Sequence, residues 1–218
     1  MSRLGRILGD SHARYQQVRA QGPGHEVRIP VVTMALAASV LAAALATRPV
    51  LGTLPVGTAQ RWGWSADLLT RGHWWRLGSA LMLTRDPFMA ASMATSLGVA
   101  VGAYEYLAGH GRALAVAVGG ALAGSAIVGA MTLALGSVGW QLAVAASTTL
   151  DYGFSAGVAA ASGAVAATLR HRPTTVVLTL VVAGGLVLHH QIADWEHAAS
   201  FSATFAALRW AGRSGTER

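Results

Sequence analysis

The chain has 218 residues, of which 53% are hydrophobic and only 11% charged, and its mean hydropathy is +0.47. Soluble domains carry about 25% charged residues, so this composition excludes an ordinary soluble domain and predicts a polytopic membrane protein. Cysteine is absent, which excludes disulfides and thiolate metal sites, and the net charge of +7 rests on arginine alone, there being no lysine.

Residues 1–28 form a basic tail carrying Arg3, Arg6, Arg14, Arg19 and Arg28. Leu4, Ile7 and Leu8 fit a short amphipathic turn lying on a membrane, and a partly disordered tail fits equally well. Residues 29–212 read as one membrane domain, and 213–218 as a short second tail. A first apolar span is predicted over 29–47. A cleaved signal peptide is the competing reading. The long apolar stretch and the tail before it favour an uncleaved span.

Residues 48–76 read as a long, half-apolar loop with Trp62, Trp64, Trp74 and Trp75. Tryptophan favours the membrane interface, so this loop is expected among the headgroups. Further spans are predicted over 87–106, 112–135, 153–169, 174–191 and 197–211, each apolar enough to approach the length a bilayer requires. A loop with Trp140 and Gln141 separates the third and fourth. Arg170-His171-Arg172-Pro173 forms a tight charged turn before the fifth.

Six spans put both ends of the domain on one side. Arg112, Arg170, Arg172, Arg209, Arg213 and Arg218 then join the tail arginines there, and the positive-inside rule makes that side cytoplasmic. Arg48, Arg61, Arg71, Arg76 and Arg85 of the first loop oppose this bias. Because the arginines lie in tails and loops, the expected partner of the charge is the anionic leaflet and not nucleic acid. The expected location is a bacterial plasma membrane, multi-pass, with both termini cytoplasmic.

The fourth span has almost no side-chain bulk: Gly153, Gly157, Ala160, Ser162, Gly163 and Ala164. The sixth repeats the pattern with Ala199, Ser200, Ala203 and Thr204. Small residues let helix backbones approach closely in lipid. Tight packing of these two spans would bring Ser155 and His197, each at the outer start of its span, together. Serine becomes a nucleophile when a base takes its proton, and neutral histidine suits that role near pH 7. Ser155 at a helix start also gains free N–H groups for a developing oxyanion. The competing readings are a small packing residue for Ser155 and an interfacial histidine for His197. Asp194 and Glu196 flank His197 and read as polar loop residues at the water surface. His189-His190 lack a third partner, so no metal site is assigned.

With those residues in view, the chain resembles the rhomboid family of intramembrane serine proteases over roughly residues 70–212. His73-Trp74-Trp75-Arg76 resembles the Trp-Arg motif of the family's first loop. Glu105, Gly109 and Arg112 match its Glu-x3-Gly-x2-Arg signature, read here as bracing the turn between the second and third spans. Gly153-Phe154-Ser155-Ala156 resembles Gly-x-Ser-Gly, and the run from His197 to Thr204 resembles His-x2-Gly-x3-Gly with small residues for both glycines.

The resemblance implies an all-α, six-helix membrane bundle with Ser155 as nucleophile and His197 as general base. Gly153 and Ala156 would shape the nucleophile loop. It implies no cofactor and no required third acidic member. The partners it implies are single-span membrane proteins, cleaved as substrates, or bound as clients by a catalytically silent relative. The chain departs from the pattern in the second span: the His and Asn that help bind the oxyanion in active members fall on Met89 and Met93, whose thioethers donate no hydrogen bond. A small-molecule transporter is the weaker third class, because mid-membrane charges and broken helices in repeated halves are absent from the sequence.

Overall fold

The computed structural model describes residues 29–47, 52–188 and 191–213; the tails over 1–28 and 214–218, Arg48 and His189-His190 lie outside the described residues. Among the described residues the regular structure is helical, and the one β feature is an isolated antiparallel bridge between Trp64 and Asp151.

Helix α1 spans Val31–Thr47. Three short helices follow, α2 (Val56–Trp62), α3 (Ala66–Thr70) and α4 (Arg76–Ala80), where the sequence predicts a continuous loop. Ser65 caps α3, its hydroxyl accepting from the Leu68 N–H. Arg76 closes the segment: its guanidinium donates to the carbonyls of Gln60 (2.6 Å) and Gly63 (3.3 Å) and stacks over Trp75 at 5.2 Å. Trp74 and Trp75 remain exposed.

The next helix begins at Asp86, whose carboxylate accepts from the Met89 N–H at 2.7 Å, and at Pro87, whose missing N–H costs nothing in a first turn. It runs as α5 (Pro87–Ser96), a π-helical turn (Leu97–Val101) and α6 (Gly102–Ala108). Gly109 breaks it at a φ of 86°, conformational space that favours glycine, and α7 (His110–Ser137) turns back. Helix α8 (Gln141–Thr148) occupies the predicted loop after Trp140. Helices α9 (Ser155–Leu169), α10 (Arg172–Leu188) and α11 (Ile192–Arg213) complete the order.

Two of these helices, Pro87–Ala108 and His110–Ser137, are long and apolar enough to cross a membrane; α1, α9 and α10 are apolar but shorter.

Helix α9 is the centre of the bundle, with eleven of its residues buried, while α10 buries none. The small faces explain the packing. A Cβ added at Gly163 would lie 2.5 Å from the Phe201 carbonyl of α11, and one at Gly157 would lie 2.6 Å from the Ala117 carbonyl of α7. A Cβ at Gly124 would overlap the Ser200 hydroxyl, which donates instead to the Gly120 carbonyl at 3.1 Å. Helices α7, α9 and α11 thus meet nearly backbone to backbone.

Three expectations need correction. Glu105 does not merely brace the turn between α6 and α7. It reaches across to α1, where its carboxylate accepts from the N–H groups of Val32 and Thr33 (2.8 Å each) and the Thr33 hydroxyl (2.7 Å), and it pairs with His110. The last helix starts at Ile192 rather than 197. Asp194 and Glu196 are therefore helical and buried, at 8% and 4% exposure, instead of solvated loop residues.

Candidate active site

Ser155 is the first residue of α9, and the chain before it is held at three points. Asp151 exchanges both backbone hydrogen bonds with Trp64 (2.8 and 3.1 Å). The Gly153 N–H donates to the Ala80 carbonyl at 2.9 Å, and the Phe154 ring is fully buried. Gly153 has a φ of 117°, a region closed to most side chains, which lets the chain turn sharply into the helix. The bonds of the first turn begin with the Gly157 and Val158 N–H groups, both on the Phe154 carbonyl. The N–H groups of Ser155 and Ala156 precede them, as helix-start donors do. The Ala156 side chain is buried.

His197 stands in the second turn of α11. It and Ser155 line one cavity of about 280 Å³ between α5, α9, α10 and α11, together with Ser92, Met93, Ser162 and Val181. The small-residue faces therefore bring the two side chains to one cavity. No hydrogen bond joins them, and His197 Nε2 is buried with no partner. Catalytic hydrogen bonds are often loose before substrate binds.

Met89 and Met93, one turn apart on α5, point at the nucleophile loop. A Cβ at Gly153 would lie 2.7 Å from the Met89 methyl and 3.4 Å from the Met93 methyl. Met93 lines the cavity that Ser155 and His197 share, whereas Met89 is not among its lining residues, so of the two positions that the resemblance assigns to oxyanion donors only one faces this cavity. Met89 sulfur also accepts from the Arg85 N–H at 3.1 Å.

Other residues singled out in the sequence lie elsewhere. Trp75 and Arg76 tie the short helices together. Glu105, Gly109 and Arg112 sit at the far end of the bundle, 16 residues and so about 24 Å along the helix from Met89. No group of three or more metal-ligating side chains occurs among the described residues.

Sequence reasoning passed over Asp151 and read Glu196 as a polar loop residue. Asp151, four residues before Ser155, faces Glu196, which also accepts from the Ser125 hydroxyl of α7 at 2.9 Å. Burial pushes the Asp151 carboxyl above the ordinary aspartate range. Glu196 precedes a candidate base directly and faces α7. That neighbour 71 residues away is what a linear reading lacked.

No protein-family model matches the chain, and comparison with curated proteins and with solved structures gives no match either.

Proposed function

We propose that this chain is a rhomboid-like, six-span protein of a plasma membrane, and that it cleaves single-span membrane proteins by serine acyl transfer. The observation that carries this is the shared cavity: a helix-start serine and a histidine whose Nε2 has no partner line one space, together with Val158, Val181 and Val182 and with Ser92, Ser96 and Ser162.

The chemistry follows from the groups present. A substrate carbonyl enters the cavity and Ser155 Oγ attacks its carbon. His197 takes the hydroxyl proton and returns it to the leaving amine, which departs as the acyl-enzyme forms. Water, activated by the same imidazole, then releases the acyl group as a carboxylate. The N–H groups of Ser155 and Ala156 are the donors available to the oxyanion.

A second reading has its own observation. The methyls of Met89 and Met93 fill the space beside Gly153 that a Cβ would take, at the two positions where the resemblance calls for hydrogen-bond donors. A silent relative that binds transmembrane clients would gain from adaptable apolar contacts there.

A fluorophosphonate probe tests the first reading. Labelling of Ser155 that disappears in His197→Ala supports an activated serine, and silence under conditions that label an active serine protease of this type overturns it. The double change Met89→His with Met93→Asn separates the two readings. In a weakened protease it supplies oxyanion donors and raises cleavage of a model single-span substrate by about 100-fold or more. In a client binder it gives no cleavage and weakens client association. The assay uses proteoliposomes with Ser155→Ala as blank.

A further inference from the structure

Around the cavity lies a set of ionisable groups that the proposed reaction does not use. Glu196 is 4% exposed; its Oε2 accepts from Ser125, and its Oε1 has no hydrogen-bond partner. Across from it stands Asp151, whose backbone is held by its paired hydrogen bonds to Trp64. Both lie within electrostatic reach of one another, and Asp151 and Asp194 within reach of His197. Asp194 is 8% exposed and accepts from the Gln191 N–H at 3.0 Å.

The groups facing this point can be named element by element. Helix α11 contributes Asp194, Glu196 and His197. The segment before α9 contributes Asp151 and its neighbour Tyr152, which lies within electrostatic reach of Asp151 and also of Arg85 and Asp86. Helix α7 contributes the Ser125 hydroxyl and α9 contributes Ser155.

Two carboxyls that face each other, one of them buried and the other half-buried, do not both ionise; they hold a proton between them, as paired catalytic carboxyls do. A proton on Glu196 Oε1 gives that orphaned atom a bond to make, namely O–H to the Asp151 carboxylate. It leaves Oε2 free to go on accepting from Ser125. A buried acceptor without a partner otherwise costs about 1–3 kcal/mol.

We propose that Asp151 and Glu196 share one proton, and that the single negative charge left on the pair is a positioning charge for His197. Its consequence for catalysis rests on the serine-protease reading; the shared proton does not. When His197 takes the Ser155 proton, the imidazolium forms beside a charge already in place. The pair keeps its own proton throughout, so no proton is gained or lost beyond the Ser155–His197 exchange. The pair adds to the Ser-His dyad an acidic member built from Glu196 on the helix that carries the histidine and Asp151 on the segment before α9.

The sharing makes a non-additive prediction. In Asp151→Asn or Glu196→Gln alone, the remaining carboxyl ionises and the charge survives. In the double variant the charge is gone. The measurement follows the His197 imidazole by NMR titration of the full chain in nanodiscs, assigned by its loss in His197→Ala. Each single variant is expected to leave the midpoint within about 0.3 unit of the parent. The double variant is expected to lower it by about one unit, a tenfold loss in proton affinity. An infrared band of a protonated carboxyl at neutral pH should be present in the parent and absent from both single variants.

Equal, additive shifts from the two single variants would mean two independent carboxylates and overturn the sharing. An unmoved midpoint in the double variant would overturn the positioning charge. With Ser155 labelling as readout, the double variant should move the acidic limb of the pH profile down by the same one unit, because His197 has to be neutral to take the Ser155 proton. If Ser155 never labels, the protease reading fails while the titration still decides the charge.

Discussion

Two glutamates in this bundle are buried to almost the same degree, Glu105 at 3% and Glu196 at 4% exposure, and they are treated in opposite ways. Glu105 is saturated. Two N–H groups and a hydroxyl of α1 donate to it and His110 pairs with it, so its charge is spread over four partners. Glu196 receives one hydroxyl and keeps one oxygen with no bond at all. A buried charge that is fully bonded holds a structure together; one left partly bonded is available to do something else. The difference divides the molecule into a braced end, around Glu105, and a chemically open end, around Ser155 and His197.

The comparison breaks most readily at its braced member. Glu105→Ala orphans the start of α1 and should cost about 3–5 kcal/mol, the usual penalty for removing one partner of a buried charged network. Thermal unfolding in detergent measures it, and a loss under about 1 kcal/mol would mean that α1 is held by packing alone. Next comes Gly163→Leu. The added side chain meets the Phe201 carbonyl and pushes α11, with Glu196 on it, away from α9; overpacking of this kind costs about 1–3 kcal/mol. Unchanged stability would show that α9 is not the central helix. Glu196→Gln should be milder than either, within about 1 kcal/mol, because the amide oxygen still accepts from Ser125. A loss as large as that of Glu105→Ala would erase the contrast between the two sites.

The smallest effect concerns Asp86, the half-buried cap at the start of the helix that carries Glu105 near its end. The Met89 N–H holds its carboxyl below the ordinary aspartate value of 3.8. A depressed value means that the folded state binds the proton less well than the unfolded one. The cap's contribution is therefore complete above about pH 4 and lost as the pH falls through the folded value. Asp86→Asn should flatten that acid limb in a pH series of melting temperatures, with little change at neutral pH.

The long helices were legible because their apolar runs are long. Small-residue spacing was enough to pair α9 with α11 and to bring Ser155 and His197 to one cavity. The four short helices were not legible. At five to eight residues each they carry too few turns for a period to show, and contacts such as Arg76 on the Gln60 and Gly63 carbonyls hold them in place. The start of α11 was placed five residues late because Asp194 and Glu196 suggested a solvated loop. They are helical and buried, and Glu196 has its partner on α7. Glu105 was recognised as part of a signature, but its true partners lie 72 and 73 residues upstream, and nothing in the local sequence marks them.

That separation has a consequence during synthesis. The N–H groups of Val32 and Thr33 wait for a carboxylate added 72 residues later, and at about 5–20 residues per second the wait is about 4–14 seconds. For that interval the first turn of α1 lacks the carboxylate that accepts from it, although α5, against which α1 packs, is made before Glu105 is. The fastening of that first turn is thus an event timed by the ribosome.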